Sequence, residues 1–298
     1  LAVPVIGPSG VLGALNLESD RAAAFTAADA ELLEFFASAA ALSIEKALLH
    51  RELMQRQWME GQLKLAREVQ AGLLPRLPPE LPGYDMAGSN LPTWTIGGDY
   101  YDWVPLDDGR LGVVVADVSG KGIPAALIMA TFRAAVRAEL RRGAGMAGAV
   151  EAINRVLLES QGGSRFVTAV CGVLEPLTGR LEYVNCGHNP PLLLRAQGGH
   201  ELLDRGGPAL GLGVGGGFET AAVDMAPGDV LALYTDGVVE PADEGQEEFG
   251  LERLLQVLRG AAARPAGDVV LAVVEATRRF SRRESYDDDF TMVVVKRG

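Results

Sequence analysis

Apolar and polar positions alternate from the first residues of the chain. Ala2–Ile6 and Val11–Glu18 read as two strands joined by the turn Gly7-Pro-Ser-Gly10. Thr26-Ala-Ala-Asp29 then forms a capping box and opens a helix on Glu31-Leu-Leu-Glu-Phe-Phe. From Ala27 to Gly72 there is no proline, and Gly61 is the single internal breaker, so the helix is expected to continue. Leu42, Leu49, Leu53, Leu63, Leu65, Val69 and Leu73 supply apolar positions along it, but Arg56 and Arg67 fall on the heptad seam, which argues against an uninterrupted coiled coil. Pro75-Arg-Leu-Pro-Pro-Glu-Leu-Pro82 ends the helix in an extended hinge.

Beyond the hinge the pattern changes to short apolar runs. Strands are expected at Tyr84–Asn90, Asp99–Pro105, Arg110–Ala116, Arg165–Glu175, Arg180–Asn185, Pro191–Arg195, Phe218–Met225 and Asp229–Tyr234, with a last one after Tyr286. Helices are expected in pairs, Pro124–Arg141 with Met146–Ser160 and Glu248–Arg259 with Ala266–Arg283. Runs of strands with paired helices predict an α+β fold with antiparallel sheets.

Composition narrows the function. Of 298 residues 48% are hydrophobic, enough for a sizeable core, and the net charge of −12 argues against nucleic acid or an anionic membrane surface as partner. Cys171 and Cys186 lie in apolar runs and read as core residues of a cytoplasmic protein, and His50, His188 and His200 are too scattered for a zinc site. No apolar run reaches the about 18 residues that span a bilayer. Gly211-Leu-Gly-Val-Gly-Gly216 spells a dinucleotide fingerprint but follows no buried strand and opens no helix.

The candidate chemistry lies at strand ends. Leu111-Gly-Val-Val-Val-Ala-Asp117 is an apolar run that stops on a carboxylate before a glycine-broken turn, Gly120 and Gly122. Ile96-Gly-Gly-Asp99, Val230-Leu-Ala-Leu-Tyr-Thr-Asp236-Gly237 and Asp288-Asp-Phe-Thr-Met-Val-Val-Val295 repeat the theme. Each aspartate alone reads as a turn residue. Together, far apart in sequence, they predict one oxygen-lined site for hard divalent cations.

Gly-Gly-Asp99-Tyr-Tyr-Asp102, Ala-Asp117-Val-Ser-Gly-Lys-Gly, Tyr-Thr-Asp236-Gly-Val-Val-Glu240 and Asp288-Asp-Phe-Thr291 resemble, in order, the SpoIIE/RsbU branch of the metal-dependent (PPM) serine/threonine phosphatases. Asn185-Cys-Gly-His-Asn-Pro-Pro191 and Leu65-Ala-Arg-Glu-Val-Gln-Ala-Gly-Leu-Leu-Pro75 are similar to two further marks of that branch. The resemblance covers residues 63–298 and implies an αββα β-sandwich flanked by helices. Hydrolysis of phosphoserine or phosphothreonine by a metal-bridging water is the implied activity, with two Mn²⁺ or Mg²⁺ ions as cofactors. By motif, Asp117 is the bridging ligand with the Val118 carbonyl beside it, Asp236 and Asp288 hold one ion, and Asp99 serves the other side; Asp117 and Asp236 carry the catalysis. Asp289 is the neighbour that exchanges with Asp288 if the register shifts by one, and Asp102 stands behind the ligands. Where the eukaryotic branch has a histidine two residues after the bridging aspartate this chain has Ser119, so the leaving-group acid is unassigned, and no arginine matches that branch's phosphate clamp. Lys121 is either a phosphate contact or a solvated loop lysine.

Residues 1–48, two strands and a helix beginning Phe25-Thr-Ala-Ala-Asp, resemble the C-terminal end of a GAF sensor domain, whose remainder is expected upstream. Residues 49–80 are then helical linker and hinge, and 81–298 the phosphatase domain. The linker either pairs with its copy in a homodimer or stands as an exposed spacer. The implied partner is a phosphorylated anti-sigma-factor antagonist of STAS type. The alternatives are a non-catalytic binding module on the same fold and a phosphatase of small esters.

Overall fold

The computed structural model describes residues 1–298 except 9, 94–95, 162–164, 214–216, 284–285 and 287. It divides into two compact units, Leu1–Leu65 and Ala66–Gly298. In the first, β1 (Ala2–Gly7) and β2 (Gly10–Asn16) pair antiparallel, with Val3 opposite Leu15. Val3 and Val5 pack on Leu33, Ala37 and Ala41 of the helix α1 (Ala27–Ala71). The capping box forms: Thr26 N–H donates to Asp29 Oδ2 at 2.7 Å, and Asp29 N–H to Thr26 Oγ1 at 3.3 Å.

The second unit contains β3 (Tyr84–Leu91), β4 (Tyr100–Pro105), β5 (Leu111–Val118), α2 (Ile123–Arg142), α3 (Met146–Gln161), β6 (Val167–Glu175) and β7 (Arg180–Cys186). There follow β8 (Leu192–Leu194), β9 (His200–Leu202), β10 (Gly206–Gly207), β11 (Ala221–Asp224), β12 (Val230–Tyr234), α4 (Gly250–Ala261), α5 (Ala266–Ser281) and β13 (Phe290–Arg297). One sheet runs β10-β7-β6-β5-β4 with β11 also on β7, and the other β3-β13-β12-β8-β9. Pairing is antiparallel except for the short β10, which runs parallel to β7. The two strands not foreseen from sequence, β9 and β10, span three and two residues and carry no alternation to read. Phe218, expected in a strand, precedes β11 and fills the core instead.

Four layers result. Val113 and Val115 of β5 point between the sheets and meet Leu231, Leu233, Val293 and Val295. Val114 and Ala116, one residue out of phase, point to Met129, Phe132 and Val136 of α2 and to Ile153 and Leu157 of α3. On the far side Ala232, Met292 and Val294 pack on Leu254, Leu258, Val269 and Val273 of α4 and α5. The central strands are thus buried on both faces, and for that reason their sequences are continuously apolar rather than alternating. The order helix, sheet, sheet, helix is the expected αββα sandwich. Among the described residues no helix is long and apolar enough to cross a membrane.

Candidate metal centre

Four strands, two from each sheet, bring carboxylates to one edge of the sandwich. Asp99 immediately precedes β4, Asp117 is the last residue but one of β5, Asp236 follows β12, and Asp288 and Asp289 precede β13. Asp99 is 3% exposed, and its Oδ2 accepts a 2.8 Å hydrogen bond from Thr235 Oγ1. Burial first, then the charge of Asp117, pushes its pKa well above the usual carboxylate range. Asp117 is lifted to about 7, by burial and then by Asp236, Asp288 and Asp289, while a hydrogen bond with Asp99 opposes the rise. Asp236 rises too, through burial and the neighbouring Asp288. These carboxylates are close enough to compete for protons.

Glycines open the space between them. A Cβ on Gly98 would stand 2.8 Å from the Val118 carbonyl oxygen and 3.3 Å from Asp117 Oδ1, and one on Gly237 would stand 2.1 Å from the Asp289 carbonyl oxygen. Both residues are therefore required to lack a side chain. Asp236 opens a single 3₁₀ turn, Asp236–Val238, whose carbonyl accepts from the N–H groups of Val239 and Glu240 at 2.8 and 2.9 Å. Glu240 is exposed, and burial followed by Asp236 raises its pKa.

Asp288 and Asp289, ambiguous in sequence, have different surroundings. Asp289 Oδ1 accepts from Thr93 N–H at 2.9 Å and Oδ2 from Gly98 N–H at 2.8 Å, so both oxygens are occupied by backbone amides. Asp288 is half-exposed and its Oδ2 lies 3.1 Å from Lys121 Nζ. Lys121 thus faces the carboxylates as well as water. Asp102 is turned away: Arg137 of α2 grips it at 2.6 and 2.8 Å, and Tyr100 donates its phenolic O–H to the same carboxylate.

The donor set is suited to a hard divalent cation: carboxylate oxygens and a backbone carbonyl, with no thiolate or imidazole among them. Among the described residues no three such side chains are gathered tightly enough to hold an ion as they stand. Burial and mutual repulsion raise the pKa of Asp99 and Asp117, the electrostatic situation that a bound cation relieves. On this test of donor type, enclosure and charge, the residues fit a divalent metal.

Two contributors escaped sequence reasoning. Arg165 lodges against Gly120, where a Cβ would come within 1.9 Å of Nη1, and donates to the Ser119 carbonyl at 2.7 Å. Ser119 Oγ meanwhile accepts from Phe166 N–H at 2.9 Å, tying the loop after Asp117 to the start of β6. Gln70, in the last turn of α1, bonds both backbone groups of Gly97: Nε2 donates to the carbonyl at 2.6 Å and Oε1 accepts from the N–H at 3.2 Å. A lone polar residue on a helix and one arginine before a strand carry no signal of such contacts. The last three residues of the glycine run that ends at Gly216 lie outside the described residues.

The sequence model of the Stage II sporulation protein E (SpoIIE) family matches residues 107–298, well over half of the chain. The chain belongs to the SpoIIE family. The chain is 28% identical over 271 residues to Protein IcfG of Synechocystis sp., covering 79% of this chain and 41% of that protein. It is 26% identical over 245 residues to the phosphoserine phosphatase RsbU of Bacillus subtilis, covering 81% of this chain and 71% of RsbU. The chain thus spans less than half of one of these relatives and under three quarters of the other. The SiaA-PP2C domain of Pseudomonas aeruginosa shares the fold, with a TM-score of 0.72 and 22% identity over 82% of this chain and 98% of that one. So does the catalytic domain of the serine/threonine protein phosphatase PstP, solved in complex with two manganese ions, with a TM-score of 0.53 and 16% identity over 72% of this chain and 97% of that one. Residues 107–298 thus carry the SpoIIE family's sequence, and the second unit has the fold of PP2C phosphatase domains.

Proposed function

We propose that this domain hydrolyses phosphoserine or phosphothreonine on a regulatory protein, with two Mn²⁺ or Mg²⁺ ions held by Asp99, Asp117, the Val118 carbonyl, Asp236 and Asp288. The observation that carries this reading is the convergence of strand-end aspartates from both sheets, crowded enough to raise the pKa of Asp99, Asp117 and Asp236. Bound there, such cations would supply a nucleophilic water at neutral pH and neutralise the phosphoryl charge.

Within this reading the chain's own residues have separable tasks. Asp117, whose pKa is raised by the acidic groups around it, would hold the cations together with Asp99 and Asp236. Asp289 spends its oxygens on the Thr93 and Gly98 amides and so fixes Gly98, whose backbone lies beside Asp117. Lys121 balances Asp288 and places a cation at the mouth of the cleft. Ser119 is committed to the Phe166 amide and is poorly suited to protonate a leaving group.

Likeness to RsbU, a phosphoserine phosphatase, supports a phosphorylated protein as substrate, and we extend this to a STAS-type anti-sigma-factor antagonist. Residues 1–48 are read as the end of a GAF-like sensor, residues 49–80 as linker and hinge. Exposed Leu42, Leu49, Leu53, Trp58 and Val69 on α1 support pairing of that helix with a second copy. The deciding assay sets a phosphoserine peptide against a small generic ester, with Mn²⁺ and with chelator. Peptide hydrolysis that requires Mn²⁺ is expected. Hydrolysis of neither overturns catalysis in favour of a binding module, and preference for the small ester overturns the protein substrate.

A further inference from the structure

His188 is buried, 6% exposed, and both of its ring nitrogens are used. Nε2 lies 3.1 Å from the Tyr234 carbonyl oxygen and Nδ1 lies 2.9 Å from Thr168 Oγ1. A carbonyl only accepts, so Nε2 carries the proton, and Nδ1 of the neutral ring must then accept from the Thr168 hydroxyl. Burial supports that state, pushing the imidazole pKa down to about 4.

The two partners belong to different sheets. Thr168 is on β6, directly opposite Asp117 in the β5–β6 register. Tyr234 ends β12, and Thr235 and Asp236 follow it; Thr235 Oγ1 is the donor to Asp99. One ring therefore bridges from the cross-strand neighbour of Asp117 to the segment that carries Asp236 and holds Asp99. Its own position is set by Asn185, which accepts from His188 N–H at 2.8 Å and donates to the His188 carbonyl at 3.0 Å. Gly187 makes the turn possible, with φ +65° and room for no Cβ against Ala209 N at 2.9 Å.

We propose that His188 is a positioning residue of the carboxylate cleft, its ring setting the separation between the Asp117 strand end and the Asp99–Asp236 side. This rests on the cleft being a metal centre. Ligand oxygens tolerate little displacement from a cation, whereas a merely structural histidine would affect stability and leave metal affinity alone.

The test is Mn²⁺ binding by calorimetry on the intact chain, beside thermal melting in chelator and steady-state kinetics. His188→Phe keeps the ring volume and loses both bonds; His188→Gln retains an amide that can donate to Tyr234 and accept from Thr168. His188→Phe should bind Mn²⁺ about 10–100-fold more weakly. Its kcat should fall with KM for the phosphorylated substrate unchanged, and His188→Gln should recover most of the affinity. Thr168→Val, which removes one bond from the far side, should weaken Mn²⁺ binding in the same direction and decides the matter should His188→Phe not fold. Wild-type affinity in folded His188→Phe or in Thr168→Val overturns this inference alone. A wild type that binds no Mn²⁺ overturns the metal-centre reading and this inference with it.

Discussion

Asp288 and Asp289 are chemically identical neighbours whose environments separate them. Because both Asp289 oxygens accept backbone N–H groups, Asp289→Asn turns an amide N–H toward another donor, and the damage falls on the Thr93 and Gly98 contacts. Asp289→Asn should lower the melting temperature in chelator, whereas Asp288→Asn should leave it unchanged and weaken Mn²⁺ binding; the opposite pattern would exchange their roles. Asp117→Asn should reduce kcat by at least ~10²–10³, as loss of one electrostatic stabiliser does. Protonation makes a separate prediction. In the folded, metal-free chain Asp117 keeps its proton up to about pH 7, while the unfolded chain releases it near the ordinary 3.8. The folded state then binds more protons between those values, so stability falls as pH rises through that window. His188 opposes this between about 4 and 6.5, where the unfolded chain binds the extra proton and stability rises with pH. Above pH 6.5 the histidine effect fades and the carboxylate effect is the larger. Urea midpoints in chelator should therefore decrease from pH 6.5 to 7.5, and Mn²⁺ at pH 7.5 should restore them; a midpoint that rises over this range would remove the carboxylate crowding from the account.

Among the elements, the last turn of α1 has the most direct route to the cleft. Gln70 holds Gly97, Leu73 and Leu74 pack into the core, and Arg133 of α2 donates to the Leu73 carbonyl at 2.8 Å. Leu65 and Val69 of the same helix are exposed. The helix reaches the domain through its polar Gln70 and the two leucines beyond its end. Gln70→Glu preserves shape and the acceptor for Gly97 N–H but sets an oxygen against the Gly97 carbonyl. Loss of that bond plus the repulsion should weaken Mn²⁺ binding by roughly tenfold without disturbing the fold, about 1.4 kcal/mol in ordinary terms. Calorimetric titration of Gln70→Glu against wild type checks it, and identical affinities would make α1 a passive lead-in.

At the scale of the molecule, sheets from two separate strand sets meet at one acidic edge, and cations should hold that edge together. Mn²⁺ should raise the melting temperature of the chelated protein in a concentration-dependent manner, as linkage requires of a ligand that binds only the folded state. The exposed apolar positions of α1 should make the chain dimeric in sedimentation. Val69→Glu should shift that equilibrium toward monomer, and a monomeric wild type would leave α1 as a spacer.

The sequence by itself determined the order of the longer helices and strands, the α+β class and the strand-end aspartates. Those features are local: an apolar run, a capping box, a carboxylate at the end of a run. Only the tertiary structure decided how the ends meet. Asp288 and Asp289 differ by the backbone N–H groups of residues almost 200 positions away, Thr93 and Gly98. Arg165 and Gln70 join the site through contacts with backbone atoms, which any sequence supplies, so their partners leave no mark in the pattern. His188 reads as a turn residue in its own segment, and becomes a bridge only because folding places β6 and β12 on either side of its ring. Pairing between sheets is a long-range choice, and its specificity lies in burial and hydrogen-bond satisfaction rather than in periodicity.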